Sequence, residues 1–190
     1  MVKGIIVQYI DVRFYKRDPK ESEQKIEWIK IPILQNNNTF TEIVLMHPEE
    51  SVDIVGILIS GFINQLSDKI NFTHLEDDVV LTREIAQREC IDAGEDLFIL
   101  GYTAGIFSET NYLPLVKPGL LSSSSSEDLS ITLKDGVIKG KIYLVDSSLF
   151  GGNSGGPVFI KPRWKVTREK DGSKQTVHLG ESLPLYLLGV

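Results

Sequence analysis

Apolar and polar residues alternate along much of the first third of the chain, and a period of two predicts β-strands. The alternation covers Ile5–Tyr15 and Ile26–Leu34, and Thr39–Met46 is another run rich in β-forming residues. Val52–Ile59 is almost continuously apolar, which is typical of a strand buried on both faces. Polar breaks separate these runs, so the pattern predicts several short strands joined by turns.

A second group of β patterns follows residue 94. Its predicted strands are Asp96–Tyr102, Leu113–Leu121, Ile131–Leu133, Val137–Val145, Pro157–Lys161 and Leu185–Val190. Lys134-Asp135-Gly136 and Asp171-Gly172 are turn signals, and the five serines Ser122–Ser126 predict a solvated loop. Many short strands at near-regular spacing predict an all-β sandwich or barrel.

The region between the two groups has a mixed pattern. Residues 60–80 combine glycine, asparagine and aspartate with scattered apolar residues, whereas Leu81–Cys90 has helical spacing and precedes Gly94. We therefore predict a β part over 1–62, a linker with a short helix over 63–93, and a second β part over 94–190.

Composition narrows the classes of function. The net charge is −6 and no basic stripe is present, so we expect no nucleic-acid partner. We also expect no membrane segment, metal or cofactor, because no long apolar run, ligand cluster or phosphate loop is visible. Cys90 is the single cysteine, which rules out an internal disulfide. Either the chain works in a reducing compartment, for which we expect the cytoplasm, or its core needs no disulfides. The surroundings of Cys90 predict a small buried apolar residue.

The segment Gly151–Pro157, which reads GGNSGGP, is the strongest chemical signal. A serine hydroxyl needs a neighbouring base to become a nucleophile, and the oxyanion formed on attack needs backbone N–H donors. Glycines on both sides of Ser154 permit the tight bend that brings such donors together. The plainer interpretation of the same composition is a glycine-rich surface turn.

The full string before an apolar strand resembles the nucleophile motif of trypsin-like (chymotrypsin-fold) serine peptidases, especially the bacterial branch without disulfides. Other segments resemble that branch in the same order along the chain: GEDLFILGYTAG at Gly94–Gly105, PLVKPGLLS at Pro114–Ser122, IYLVD at Ile142–Asp146 and LLGV at Leu187–Val190. Thr103 stands where the branch commonly has proline. The resemblance covers about residues 94–190, and residues 25–60 more loosely.

This resemblance implies a trypsin-like double β-barrel, with the first barrel incomplete and the second nearly complete. It also implies peptide-bond hydrolysis through an acyl-enzyme on Ser154. The backbone amides of Gly152 and Ser154 would donate to the oxyanion. The expected partner is a peptide or protein substrate.

Asp53 is the candidate for the carboxylate of the catalytic triad. The resemblance implies an aspartate that opens an apolar strand, and SVDIVGILI at Ser51–Ile59 has that form. The alternative is an aspartate that caps a turn before a strand, which is common. His47-Pro48, shortly before Asp53, is also similar to the branch.

The catalytic histidine of the family precedes the aspartate by several strands, and no histidine precedes His47. His47, His74 and His178 are all poorly placed in the chain order for the role of the base. We therefore expect a chain truncated at both ends, whose histidine would precede Met1. The alternative is a trypsin-fold module that has lost catalysis and binds a partner. An in-frame upstream histidine would distinguish the two. An unrelated all-β protein with a chance glycine-rich loop is a third possibility.

Substrate preference would depend on residues just before the nucleophile and on the strand after it. The resemblance implies substrate contacts by Ser148, Leu188 and Gly189. Ser148 carries no charge, so the sequence gives no support to a preference for lysine or arginine. A small or apolar substrate side chain is the expectation.

Overall fold

The computed structural model describes residues 9–17, 26–35, 39–49, 52–66, 68–72, 74–106, 113–124, 127–133, 136–140, 142–168 and 175–190. Strands dominate these residues, which confirms the predicted all-β class. The chain divides into two compact units, Met1–His74 and Leu75–Val190, called unit 1 and unit 2 below. In the described part of the chain, no helix has the length and apolar character needed to cross a bilayer.

Unit 1 contains an antiparallel sheet, a separate two-stranded ribbon and one short helix. Its elements are β1 (Tyr9–Lys16), β2 (Ile26–Pro32), β3 (Val44–Met46), β4 (Val55–Ile57), α1 (Ser60–Leu66) and β5 (Ile70–Asn71). The sheet has the order β2-β1-β5, and β3 pairs with β4 alone. Residues 5–8 of the first predicted strand lie outside the described residues.

The core of unit 1 follows from the alternation in β2. Ile29 and Ile31 face inward, whereas Trp28, which precedes Ile29, and Lys30, which lies between the two isoleucines, are exposed. Ile63 of α1 and Ile70 of β5 complete this buried cluster. The strand predicted over Ile26–Leu34 is therefore confirmed, with one face buried.

The prediction that Val52–Ile59 forms a strand buried on both faces is wrong. The strand covers only Val55–Ile57, and Val55 is 50% exposed. Ile54 and Leu58 beside it are exposed as well. Because β3 is the only strand that pairs with β4 among the described residues, the structure shows most of this apolar run without neighbouring strands on both sides.

Unit 2 is built on a five-stranded antiparallel sheet that curls into a half-barrel, in the order β10-β7-β6-β11-β14. Its helix is α2 (Arg83–Arg88), and its strands are β6 (Asp96–Gly101), β7 (Leu115–Leu121), β8 (Leu129–Leu133), β9 (Gly136–Gly140), β10 (Val145–Asp146), β11 (Val158–Ile160), β12 (Trp164–Arg168), β13 (Gln175–Ser182) and β14 (Tyr186–Gly189). Short 3-10 turns lie at Asp77–Val79 and Thr103–Gly105.

Two hairpins accompany the sheet of unit 2. β8 pairs with β9 and β12 pairs with β13, both antiparallel. The first pairing joins Leu133 to Gly136, which confirms the hairpin predicted around Lys134–Gly136, although residues 134 and 135 lie outside the described residues. The predicted turn at Asp171-Gly172 also falls outside them.

The segment 63–93, predicted as a linker, is divided between the two units. Its first part contributes Ile63 and Ile70 to the core of unit 1. Its second part contributes Leu81, Ala86 and Ile91 to the core of unit 2. The predicted helix is confirmed as α2, which begins after Thr82, whose hydroxyl accepts a hydrogen bond from the Ile85 amide at 3.2 Å.

The chain just before α2 also covers the edge of the sheet. The Leu81 amide donates to the Leu187 carbonyl of β14 at 2.8 Å, and Val80 forms a parallel bridge with the same residue. This contact gives part of the outer edge of β14 a backbone partner.

Arg163 joins the strand side of unit 2 to the end of α2. Its guanidinium donates to both carboxylate oxygens of Glu95, at 2.9 and 2.7 Å from Nε. Its Nη2 also donates to the carbonyls of Glu89 and Cys90, at 3.3 and 3.1 Å. One side chain therefore satisfies carbonyls at the helix end that no intrahelical amide can reach.

Two predictions of burial are corrected in unit 2. Cys90 is half-buried rather than buried, and its φ of 53° places it in the left-handed region as the chain leaves α2. Ser123, expected in a solvated loop, is 6% exposed because its Oγ accepts a hydrogen bond from the Leu144 amide at 2.9 Å. Residues 125 and 126 of that loop lie outside the described residues.

Candidate functional site

Ser154 lies on the corner of a tight turn between β10 and β11. The Gly156 amide donates to the Asn153 carbonyl at 2.9 Å, which closes a four-residue β-turn with Ser154 as its second residue. Gly155, the third residue, has φ of 76°, close to the value of about +80° that a type II turn requires. The side chain of Ser154 is exposed.

Asn153 anchors this turn to the end of β6. Its Oδ1 accepts a hydrogen bond from the Thr103 hydroxyl at 2.9 Å, and its Nδ2 donates to the Phe150 carbonyl at 2.8 Å. The Ala104 amide donates to the Gly151 carbonyl at 2.7 Å. Since Thr103 is only 4% exposed, the donor of its hydrogen bond to Asn153, called the anchor below, is buried. These contacts hold the residues that immediately precede Ser154.

Two glycines of the motif are required by close backbone approach. A Cβ at Gly152 would lie 2.5 Å from the Tyr102 carbonyl oxygen, and the φ of this residue is +97°. A Cβ at Gly156 would overlap the Leu100 carbonyl oxygen. Real Cβ atoms do not approach backbone so closely, so the loop can dock on β6 only with glycine at both positions.

A hollow of about 240 Å³ adjoins Ser154. Its walls come from the end of β6, the start of β7 and the loop that carries Ser154: Leu100, Gly101, Tyr102, Pro114, Gly152, Ser154, Gly155, Gly156 and Pro157. The side chains among these residues are apolar except for the hydroxyls of Tyr102 and Ser154. This volume is below the range of about 300–1,000 Å³ that is typical of pockets for drug-sized ligands, so it suits one amino-acid side chain.

The backbone amides of Gly152 and Ser154 both belong to residues that line the hollow. Within the described part of the chain, neither amide donates to another backbone or side-chain acceptor. Backbone N–H groups are strong donors that remain favourable partners for a ligand oxygen. These are the two amides that the resemblance assigns to the oxyanion.

The residues expected to contact substrate lie elsewhere in unit 2. The Ser148 carbonyl accepts a hydrogen bond from Lys117 Nζ at 2.8 Å, and the same ammonium lies 4.5 Å from the centre of the Phe150 ring. Leu188 is 7% exposed and packs in the core, so its side chain is turned away from any substrate. Gly189 pairs with Val158 of β11. None of Ser148, Leu188 and Gly189 lines the hollow.

Asp53 lies in unit 1, two residues before β4, and its side chain is exposed. Ser154 lies in unit 2. An aspartate that orients a catalytic histidine is normally buried. The triad role of Asp53 therefore remains a prediction from the sequence.

His178, the histidine of unit 2, does not line the hollow, and His47 and His74 belong to unit 1. His47 lies in an exposed turn, where its Nδ1 accepts a hydrogen bond from the Glu49 amide at 3.1 Å. His178 lies on β13 with its Nδ1 3.9 Å from a carboxylate oxygen of Glu181. His74 is exposed at the end of unit 1. The described residues of unit 2 thus place no imidazole in the walls of the hollow.

Sequence reasoning missed four residues that shape the site, namely Leu100, Tyr102, Thr103 and Pro114. Three of them lie in GEDLFILGYTAG and one begins PLVKPGLLS, which are two of the segments on which the resemblance is based. Thr103, which departs from the family's usual proline, supplies the hydroxyl that holds Asn153. Thr103 in place of proline, together with Asn153 before Ser154, was the sequence signal that could have predicted this hydrogen bond.

Comparison with family models, with curated proteins and with solved structures gave no match to this chain. Among the described residues, no group of three or more His, Cys, Asp or Glu side chains could hold a metal ion. The interpretation of the site therefore depends on the residues around Ser154 themselves.

Proposed function

We propose that unit 2 carries the nucleophile of a trypsin-like serine endopeptidase, with Ser154 as the attacking residue. In this proposal unit 2 is the nearly complete second barrel and unit 1 is the incomplete first barrel. The observation that supports it most is the exposed Ser154 on an anchored turn, beside two backbone amides without another acceptor in the described residues. A chance glycine-rich turn needs neither the anchor nor the donors.

The chemistry would proceed in two stages. Ser154 Oγ attacks the carbonyl carbon of a peptide bond while a base takes its proton, and the developing oxyanion accepts hydrogen bonds from the amides of Gly152 and Ser154. The base returns the proton to the leaving amine, which departs and leaves an ester on Ser154. Water then attacks this ester in the same way and releases the second product.

No residue of this chain is assigned as the base in the proposal. A serine hydroxyl is a weak nucleophile at neutral pH, and loss of one triad member lowers the rate by several orders of magnitude. No histidine lines the hollow, so we expect the chain alone to hydrolyse peptides at a negligible rate. In this proposal Asp53 is the candidate carboxylate for orienting the base.

Labelling with a fluorophosphonate probe tests the nucleophile. Because Ser154 is exposed, free imidazole can reach it and act as the base in place of a histidine. We expect background labelling in buffer alone and an imidazole-dependent adduct that peptide mapping places on Ser154. Ser154→Ala should abolish the adduct, while Ser122→Ala, which removes another exposed serine of unit 2, should retain it.

Two results would contradict the proposal in different ways. Efficient labelling of Ser154 without imidazole would show that the chain already contains a base. If no Ser154-dependent adduct formed even at high imidazole concentration, the proposed role of Ser154 as the nucleophile would be wrong.

A trypsin-fold module that binds peptides without cleaving them is the second candidate. The intact anchor and hollow, together with the lack of a histidine among the lining residues, favour it. Peptide binding by this chain without imidazole-dependent labelling of Ser154 would support this candidate over the peptidase.

A further inference from the structure

We infer that the hollow beside Ser154 is a subsite for one uncharged, apolar side chain of a peptide whose carbonyl oxygen accepts from the amides of Gly152 and Ser154. The inference rests on the proposed function in taking a peptide as the ligand. It does not require that Ser154 react, because binding and chemistry use different atoms of the site.

The walls of the hollow select against charge. Leu100, Pro114 and Pro157 contribute only carbon atoms from their side chains, and no charged residue belongs to the lining. A carboxylate or ammonium placed there would lose its hydration without gaining an ionic partner. An aliphatic or aromatic side chain gains from removal of its surface from water.

The donors fix how the peptide lies. Gly152 and Ser154 line the hollow and lack other acceptors for their amides within the described residues, so a ligand oxygen can accept from them. A peptide presents a carbonyl oxygen beside each side chain, which matches one apolar wall next to a pair of N–H donors. A free hydrocarbon would leave the donors without a partner.

The location differs from the contacts that the sequence suggested. Ser148, Leu188 and Gly189 do not line the hollow, and the Leu188 side chain packs in the core. The selecting residues are instead Leu100, Tyr102, Pro114 and Pro157. The subsite therefore lies on the β6 side of the nucleophile loop.

Binding of blocked peptides to the full chain with Ser154→Ala tests the subsite without hydrolysis. Acetylated and amidated alanine hexapeptides that carry one phenylalanine, leucine, aspartate or lysine would be compared by isothermal titration calorimetry. We expect the phenylalanine and leucine peptides to bind at least about tenfold more tightly than the charged ones. Equal affinities, tighter binding of a charged peptide, or no saturable binding at millimolar peptide would overturn the inference.

A charge placed in the wall should redirect the preference. In the Ser154→Ala background, Pro114→Glu should weaken the phenylalanine peptide several-fold and strengthen the lysine peptide. Leu113→Glu adds the same charge at the neighbouring exposed residue, outside the lining, and should preserve the original ranking. The same shift in both variants would overturn the location of the subsite.

These outcomes separate the subsite from the proposed function. Selective binding with no imidazole-dependent labelling of Ser154 would retain the subsite and remove the peptidase. Imidazole-dependent labelling of Ser154 without selective peptide binding would retain the proposed peptidase function and overturn the subsite.

Discussion

β11 of unit 2 and β4 of unit 1 are both three-residue strands within apolar segments, yet their surroundings differ. β11 pairs with β6 on one side and β14 on the other, and Ile160 is fully buried. β4 pairs with β3 alone, and Val55 is half exposed. The hydrophobicity of a segment therefore indicates how much apolar surface a strand could bury, while the number of partner strands determines how much of that surface is buried.

The ends of the two strands differ in the same way. β11 is preceded by the loop that Thr103 anchors and is followed by Arg163, which is ion-paired with Glu95. Around β4, the described residues 52–59 make backbone hydrogen bonds without a side-chain anchor. Four substitutions test whether these differences in structure are differences in stability.

The largest expected effect is that of Ile160→Ala. It removes a fully buried side chain from the centre of the unit 2 core and should lower the free energy of unfolding by about 2–5 kcal/mol. Val116→Ala on exposed β7 surface is the control, with an expected change of about 0.5 kcal/mol or less. Denaturant unfolding followed by circular dichroism measures both, and equal effects would contradict the burial assigned to β11.

Arg163→Ala should have the next largest effect. It leaves the Glu95 carboxylate, 13% exposed, without its partner, at a cost of about 3 kcal/mol. Lys161 precedes Arg163 by two residues and forms an exposed ion pair with Asp96. Lys161→Ala should therefore lower the free energy of unfolding by about 1 kcal/mol or less. The anchoring role assigned to Arg163 would fail if both variants unfolded at the same denaturant concentration.

Thr103→Val keeps the shape of the side chain and removes the hydroxyl that donates to Asn153. We expect a loss of about 1 kcal/mol in stability, together with weaker imidazole-dependent labelling of Ser154. Thr132→Val on exposed β8 should change neither quantity. Unchanged labelling in Thr103→Val would mean that the anchor does not position the turn.

The smallest effect is expected for Val55→Thr. The side chain is half exposed, so the free energy of unfolding should change by about 0.5 kcal/mol or less. A loss of about 2 kcal/mol would show that this residue is enclosed and would restore the sequence prediction of a buried strand.

The sequence predicted the parts of the fold that have a local period or a local turn signal. The strands around Asp96–Tyr102, Pro157–Lys161 and Leu185–Val190 fall in this class, as does the helix near Leu81–Cys90. These patterns state which backbone conformation a segment prefers, and the sheet of unit 2 satisfies them.

Other features could not be predicted because they depend on partners distant in sequence. The bond from Thr103 to Asn153 joins residues 50 positions apart, and the exposure of Val55 reflects that β4 pairs only with β3 among the described strands. Ser123 is buried through the amide of Leu144, which no serine-rich pattern indicates. The hollow likewise appears only when the end of β6 and the start of β7 meet the loop that carries Ser154.

The contact between Val80–Leu81 and Leu187 has a consequence for how unit 2 forms. It joins residues about a hundred positions apart, so its loop-closure entropy is among the largest in the unit. Contacts of this kind slow folding, whereas the β8–β9 hairpin can close early. Until this contact forms, the outer edge of β14 is open to strands of other chains, so slow closure of the contact prolongs the exposure of unit 2 to aggregation.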